Sequence, residues 1–265
     1  MQNQENCYEN VWILSGTADG PVLANKLIKL NYVVFASVVT QKASKPYSKN
    51  PKLHIITGSL NGKDEIINFI KINNIKLVVD ATHPFAQIIS KNLNIACEER
   101  NIPLIIYERK SLPIESNNIH YISGLKKINN NDVKNKNILL AIGSRMLNDT
   151  ATHYLSCGAN LFTRVLPTKE SITTALGSCI KKSNIAILEP SKKIEENLEK
   201  KLCDFWQIDY VLCRDSGSYS QKNWVRIVDG TSMKLFLLKR PELNFKNVNY
   251  FCEYDTLIEH IKKKF

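Results

Sequence analysis

The sequence has no apolar run close to the roughly 18 residues that a membrane-spanning helix needs. Its first ten residues are polar and lack the apolar core of a signal peptide. The seven cysteines are odd in number and form no C-x-x-C pair, which argues against a disulfide framework and against a zinc site. We therefore expect a cytoplasmic protein with reduced cysteines, no bound metal and no membrane partner.

The chain also lacks a concentrated basic region, although Lys and Arg exceed Asp and Glu by 36 to 25, a net charge of +11. The lysines are dispersed, and neither an aromatic-basic platform nor a helix-turn-helix pattern accompanies them. This distribution favours a solvated basic surface and argues against nucleic acid as a partner. It is compatible with a small polyanionic substrate. We expect a monomer or a weak homo-oligomer.

Strand and helix patterns alternate along the 265 residues. Apolar runs typical of buried strands occur at 11–14, 32–39, 53–56, 77–80, 103–107, 138–142, 161–165, 185–188, 210–213 and 235–238. Helical periodicity occurs at 18–30, 65–72, 85–100, 170–181, 194–205 and 253–264. The pattern predicts an α/β fold of two Rossmann-like domains with parallel sheets facing a ligand cleft. We place the domains at 1–118, binding a nucleotide, and 119–265, on the substrate side.

The first strand ends in a glycine turn that leads into a helix. This arrangement presents backbone N–H groups and a positive helix end to an anion, usually a phosphate. The G-x-G-x-x-G fingerprint is absent, since only Gly16 and Gly20 are in place. Glycines also close such turns where no ligand binds, so the turn alone leaves both interpretations open. The candidate contacts to a cofactor diphosphate are Gly16, Thr17, Ala18 and Gly20.

Other small or polar residues follow the next strands. They are Ser37 to Thr40, Gly58 with Ser59, and Asp80, Ala81, Thr82, His83 and Pro84. The carboxyl ends of parallel strands form one edge of a sheet, and ligands of open α/β sheets bind there. Together with the glycine turn after the first strand, these make four such segments on one edge, and they predict a nucleotide crevice there.

Acidic residues are missing from the whole stretch between Asp19 and Asp64, which carries seven lysines. An NAD-binding domain usually places an acid about 20 residues after the glycine turn, where it binds the ribose 2′-OH. Hydroxyl and ammonium groups would instead hold a 2′-phosphate. The sequence therefore favours NADPH, with Ser37, Thr40 and Lys42 as candidate contacts. The alternative is that these lysines form a solvated face.

The stretch Asp80-Ala-Thr-His-Pro-Phe-Ala86 combines three polar residues with a proline at the end of a strand. Pro84 biases His83 away from helical backbone and is suited to the first turn of the next helix. Thr82 and His83 would then project into the crevice. A lone histidine is often structural, but this setting favours a functional one.

Six segments together resemble the precorrin-6A reductase family of cobalamin biosynthesis. They are Ser15-Gly-Thr-Ala-Asp-Gly20, Asp80-Ala-Thr-His-Pro-Phe-Ala86, Glu108-Arg109, Arg164-Val-Leu-Pro167, Arg214-Asp-Ser-Gly217 and Lys239-Arg-Pro241. The resemblance implies two Rossmann-like domains and NADPH-dependent reduction of a macrocycle double bond, which gives precorrin-6B or its cobalt form. The chain departs from the family at Ser15 and Ser59, where a glycine is common, and at 40–42, where a Gly-Arg pair is common.

The reduction also requires a proton, and the candidate donors are His83, Asp215, Lys222 or a water. An imidazole is best matched to neutral pH, so we assign His83 and, second, Asp215 as catalytic. The candidate substrate contacts are His83, Pro84, Arg109, Arg164, Ser216, Gly217, Lys222 and Arg240. For the arginines, internal salt bridges are the structural alternative, and for 215–217 a helix cap.

Three other functions were weighed against the reductase. A different NADP oxidoreductase of the short-chain type would carry a Tyr-x-x-x-Lys pair, which is absent. A methyltransferase using S-adenosylmethionine would favour an acid after the second strand, also absent. A non-catalytic nucleotide-binding protein would bind NADPH without turning over a corrinoid.

Overall fold

The structure is a computed structural model that describes residues 9–111, 116–190 and 198–264. Over these ranges twelve strands form: β1 (Asn10–Leu14), β2 (Val33–Val38), β3 (Leu53–Thr57), β4 (Ile75–Asp80), β5 (Leu104–Tyr107), β6 (Ile119–Ile122), β7 (Asn137–Ala141), β8 (Asn160–Val165), β9 (Ile185–Ile187), β10 (Tyr210–Arg214), β11 (Lys234–Leu238) and β12 (Asn249–Phe251). The α-helices over the same ranges are α1 (Asp19–Lys29), α2 (Gln41–Ser44), α3 (Lys63–Ile72), α4 (Gln87–Arg100), α5 (Asn130–Val133), α6 (Leu147–Ser156), α7 (Lys169–Leu176), α8 (Leu198–Phe205), α9 (Tyr219–Val228) and α10 (Tyr254–Lys264).

The chain divides into two units. The first comprises Met1–Lys110 with Pro241–Phe265, and the second comprises Ser111–Arg240. The first holds a parallel sheet of six strands in the order β12-β5-β4-β1-β2-β3. The second holds another, in the order β6-β11-β10-β7-β8-β9. The predicted α/β class with two parallel sheets is confirmed.

The central strand β1 is buried on both faces, which explains its unbroken apolar sequence. Val11 and Ile13 pack into the core that α1 covers. Trp12 and Leu14 point into the core on the other face, where the Trp12 ring stacks on Phe69 with centroids 4.2 Å apart. Because alternate residues fill two different cores, a slip of one residue would exchange both sets, and the register of β1 is therefore fixed.

Both sheets reverse their strand order at a central strand. In the first unit β1 lies between β2 and β4, and in the second β7 lies between β8 and β10. A crevice for ligands opens outside the carboxyl ends of the strands at such a reversal. The segments that follow β1 and β4, and those that follow β7 and β10, are therefore where each unit is expected to bind a ligand.

The predicted boundary at 118/119 needs correction. The chain leaves the first unit at Lys110 and returns to it at Pro241. There β12 pairs in parallel with β5, Tyr250 opposite Ile106, and α10 packs into the core beside α1. Residues 241–265 thus complete the first unit, whereas we had assigned them to the second. Their strand is only three residues long and partly exposed, so its sequence carries little signal.

Several elements differ from the sequence pattern. The strands β6 and β12 and the helices α6 and α9 were not predicted, and α7 ends at Leu176 rather than near residue 181. The predicted helix at 194–205 is seen from Leu198 onward, since 194–197 lie outside the described residues.

Three further observations apply to the part of the chain that the structure describes. No helix there is long and apolar enough to cross a membrane. No group of three or more metal-ligating side chains is brought together. The cysteines there are free thiols, with Cys97, Cys203 and Cys213 buried.

Candidate functional site

The glycine turn after β1 is organised by the hydroxyl of Ser15. Its Oγ accepts hydrogen bonds from the backbone N–H groups of Gly20 (3.1 Å) and Thr17 (3.3 Å). Gly16 is exposed, and a Cβ placed on it would meet no atom within 4 Å. Gly20 is buried, and a Cβ there would lie 2.1 Å from the hydroxyl of Tyr47. Gly16 therefore lies on the open side of the turn, together with Thr17 and the exposed Ala18. Gly20 is also a predicted cofactor contact, but it packs inside the turn.

Asp19, the first residue of α1, is a buried carboxylate surrounded by donors. The Thr17 hydroxyl donates to Oδ2 at 2.7 Å, and the Tyr254 hydroxyl donates to Oδ1 at 2.7 Å. Arg109 contacts both oxygens, Nη2 to Oδ2 at 2.8 Å and Nε to Oδ1 at 3.0 Å. Burial and the hydrogen bond to Asp19 raise the pKa of Tyr254. The guanidinium of Arg109, predicted to bind a substrate carboxylate, is thus occupied by an internal one.

Ser37 lies near the carboxyl end of β2, opposite Leu14 at the end of β1, but it is buried. Its Oγ accepts a hydrogen bond of 2.9 Å from the indole nitrogen of Trp12. This bond satisfies a polar group inside the core. Ser37 therefore stabilises the sheet, and its contact with a cofactor stays a prediction.

Other predicted contacts do lie exposed beyond β2 and β3. Thr40 precedes the short helix α2 and caps it, its Oγ1 accepting from the backbone of Ala43 at 3.3 Å. Lys42 is an exposed residue of α2. Gly58 and Ser59 follow β3 and are exposed. This side of the first unit thus presents hydroxyl and ammonium groups.

Asp80 ends β4 as a fully buried carboxyl group. Its Oδ1 accepts the backbone N–H of Thr82 at 2.9 Å, and the neighbouring Ala81 donates its own N–H to Leu14 in β1 at 2.9 Å. Burial raises the pKa of Asp80, and hydrogen bonds from Ser90 and Thr82 oppose part of that rise. The carboxyl group thus holds the turn after β4 in shape, beside the glycine turn: Thr17 Oγ1 lies 3.5 Å from the carbonyl oxygen of Ala81.

His83 lies in this turn, half-buried, with a defined ring orientation. Its Nδ1 accepts the backbone N–H of Phe85 at 3.2 Å, and the two rings lie 5.7 Å apart. An accepting Nδ1 carries no proton, so the neutral ring carries its proton on Nε2. Pro84 lies within the turn, and α4 begins only at Gln87, later than predicted. The turn therefore places an imidazole ring at the strand-order reversal of the first unit.

Arg164, a predicted substrate contact, is engaged inside the second unit. Its side chain is buried, and Nη2 lies 2.6 Å from Oε1 of Glu199, which is also buried. Glu199 accepts a second hydrogen bond, 3.0 Å long, from Asn223, and Arg164 donates to Ser220 at 3.3 Å. Arg164 and Glu199 thus form a buried internal ion pair of the second unit.

The segment Asp215-Ser216-Gly217 is held from within the same unit. The side-chain oxygen of Gln221 accepts the N–H groups of Ser216 (2.8 Å) and Gly217 (2.6 Å), and its nitrogen donates to Asp215 at 3.0 Å. Ser111 also donates to Asp215, at 2.6 Å. These contacts hold the segment in place ahead of α9, whose N-cap is Ser218 and not one of these three residues. The predicted roles of Asp215, Ser216 and Gly217 at the substrate stay predictions.

Of the remaining basic residues, Arg240 is tied to Asp215, its Nε donating to the Asp215 carbonyl oxygen at 2.9 Å. Lys222 is exposed on α9. Arg214 ends β10 at the strand-order reversal of the second unit. It belongs to the motif Arg214-Asp-Ser-Gly217, but no role was predicted for it. Its Nη2 lies 3.2 Å from where a Cβ of Gly143 would be. Burial lowers the pKa of Arg214, and the nearby positive charge of Arg145 lowers it further.

Two parallel sheets, with an open glycine turn and a polar second turn at one strand-order reversal, define a Rossmann-like protein of the nucleotide-binding class. Residues 10–262 match the family model described as precorrin-6x reductase CbiJ/CobK. The chain belongs to this family of reductases in cobalamin biosynthesis. The resemblance of the six sequence segments is thereby confirmed.

Relatives of similar length support the assignment. The chain is 28% identical to the cobalt-precorrin-6A reductase of Synechocystis sp., over 92% of this chain and 95% of that protein. It is also 28% identical to the cobalt-precorrin-6A reductase of Methanocaldococcus jannaschii, over 95% and 98%. A solved structure titled CobK precorrin-6A reductase superposes with a TM-score of 0.77 at 16% identity, over 96% and 97% of the two chains. The last match shows a shared fold.

Proposed function

We propose that this protein uses NADPH to reduce a double bond of the corrinoid macrocycle in precorrin-6A or its cobalt form, giving the 6B form. The reductase class and a nicotinamide cofactor follow from the family. We choose NADPH because the stretch from 20 to 63 contains no acidic residue. Within it, Thr40 and Lys42 lie exposed just beyond β2. A carboxylate there would repel a 2′-phosphate, and an ammonium group attracts it.

The first unit fits such a cofactor at two places. Gly16 lies open, so a diphosphate can approach the backbone at the positive end of α1. Lys42 is our candidate contact for the 2′-phosphate, as a point charge without the two-pronged contact that an arginine makes. When bound, NADPH supplies the hydride.

His83 is the best candidate to supply the proton. The ring is the neutral Nε2–H tautomer, because Nδ1 accepts from Phe85; to act as an acid it takes up a second proton, on Nδ1, and gives up that hydrogen bond. Proton transfer from a positioned side chain contributes about 10²- to 10⁴-fold to a rate. Asp215 is held by Ser111 and Gln221, which leaves His83 and the exposed Lys222 as donors among the residues proposed from the sequence.

The acidic side chains of a tetrapyrrole require cations. Arg109, Arg164 and Arg240 are engaged with Asp19, Glu199 and Asp215. We therefore propose Arg214 in the second unit, with the exposed residues Lys222 and Arg145; the pair of Arg145 with Glu170 is long, 4.0 Å, and exposed. Arg214 lies at the strand-order reversal, where ligands of such sheets bind. A carboxylate would also relieve the mutual repulsion of Arg214 and Arg145.

The cobalt-containing substrate is the one we favour, because the whole-length relatives of Synechocystis and Methanocaldococcus are cobalt-precorrin-6A reductases by name. The test is anaerobic oxidation of NADPH by the purified protein with cobalt-precorrin-6A and, separately, precorrin-6A. NADH serves as the control in each case.

Turnover with NADPH and either substrate, with little turnover of NADH, supports the proposal. Faster turnover of the cobalt form supports that choice of substrate. Equal turnover with NADH contradicts the cofactor assignment. Tight NADPH binding without turnover of either substrate would favour the non-catalytic nucleotide-binding protein instead.

A further inference from the structure

A buried carboxylate stands directly behind the open glycine turn. Asp19 follows Ala18 and opens α1, so it lies at the helix end that favours anions. The same position makes it a negative charge beside the place where a phosphate is expected. A second anion brought to this turn would be repelled by Asp19 unless the carboxylate were neutralised.

The structure supplies that neutralisation from a distant part of the chain. Arg109 lies after β5, 90 residues further on, and its guanidinium contacts both oxygens of Asp19. Such a two-pronged contact fixes the orientation of the carboxylate as well as cancelling its charge. The Tyr254 hydroxyl, from α10, donates to Oδ1 and leaves the net charge of the pair at zero.

We propose that Arg109 is a positioning residue for the cofactor site: it cancels the charge of Asp19 so that the glycine turn accepts a diphosphate. This inference rests on the proposed NADPH site and goes beyond it, because it gives Arg109 a role without any contact to substrate or cofactor. Asp19 itself is retained because it orders the turn, accepting the Thr17 hydroxyl at 2.7 Å.

The proposed role of Arg109 predicts how its loss affects the binding of NADPH and of NADH. The diphosphate is common to NADPH and NADH, so loss of Arg109 must weaken both to a similar degree. Loss of a contact to the 2′-phosphate would weaken NADPH alone. An uncompensated unit charge several ångströms from a diphosphate weakens binding on the order of tenfold or more.

The experiment compares Arg109→Ala, Asp19→Asn and the double variant by fluorescence titration with NADPH and with NADH, and by thermal unfolding without ligand. Lys110→Ala is the matched control. Lys110 is the next residue after Arg109 and carries the same charge, but it is exposed and pairs with Glu253. We expect Arg109→Ala to raise both Kd values about tenfold or more. The double variant should recover most of that loss, and the control should bind as the natural protein does.

Failure of the double variant to recover binding, or a loss confined to NADPH, would overturn the inference. If Arg109→Ala does not fold, Arg109→Gln with and without Asp19→Asn replaces it, and the same recovery is required. A natural protein that binds neither nucleotide would overturn the proposed cofactor site and this inference with it. Binding by the natural protein without recovery in the double variant overturns this inference alone.

Discussion

Replacing Arg164 by Met should destabilise the second unit strongly, because it strands a buried charge. Arg164 is 8% and Glu199 is 1% exposed, and their charged atoms are 2.6 Å apart. Removing one partner of a buried ion pair costs about 3–5 kcal/mol, since the other charge stays desolvated. Asn223 still donates one hydrogen bond to Glu199, which places the expected loss toward the lower end of that range.

Thermal and urea unfolding of three variants measure this effect. At about 2–4 °C for each kcal/mol, Arg164→Met should lower the Tm of the second unit by roughly 10 °C. Arg164→Met combined with Glu199→Gln removes both charges and keeps an acceptor for Asn223, so it should recover most of the loss. Lys126→Ala is the control, because its pair with Asp149 is exposed and is worth at most about 1 kcal/mol.

The reasoning would be refuted if Arg164→Met lost no more stability than Lys126→Ala, since the pair would then behave as a solvated one. A raised KM for the corrinoid, shared by the double variant, would return Arg164 to the substrate site.

Three further predictions concern the first unit. His83→Ala should lower turnover about 100-fold or more and change the unfolding midpoint little, because the side chain is half-buried in a turn; unchanged steady-state kinetics would remove His83 from the mechanism. Lys42→Glu should weaken NADPH binding on the order of tenfold more than NADH binding, and equal losses in paired titrations would contradict the 2′-phosphate assignment. Because the pKa of Asp80 is raised in the folded state, the natural protein loses stability as pH rises above about 4 toward the folded pKa, and the loss then levels off. The amide side chain introduced by Asp80→Asn cannot lose a proton, so the free energy of unfolding of this variant, measured in urea, should rise relative to that of the natural protein over that pH range. A difference between the two that does not change with pH would contradict the burial argument.

The central strands of both sheets and one edge strand of each, β3 and β9, were predictable from the sequence, whereas the opposite edge strands β12 and β6 were not. Strands such as β1 and β10 are buried on both faces and therefore read as unbroken apolar runs. The edge strands β6 and β12 are three or four residues long and partly exposed. Their partners, β11 and β5, lie more than a hundred residues away in the chain, beyond the reach of any local pattern.

The same distinction holds for the candidate site. Gly16, Asp80 and His83 were identified because strand ends of a parallel sheet share one edge, which is a topological consequence of the alternating pattern. The partners of Arg109 and Arg164 lie 90 and 35 residues away. No spacing rule connects such residues, so ion pairing and ligand binding look alike in the sequence.

The return of the chain to its first sheet also bears on the order of synthesis. The strands β1 to β5 leave the ribosome early, but their sixth partner, β12, and the helix α10 that carries Tyr254 follow only after all of 111–240 has been made. The second unit can therefore complete its sheet while the first still presents β5 as an open edge. The carboxylate of Asp19 can gain its Tyr254 donor only after α10 has been made, so the glycine turn completes its hydrogen bonds 235 residues after Asp19 itself is added to the chain.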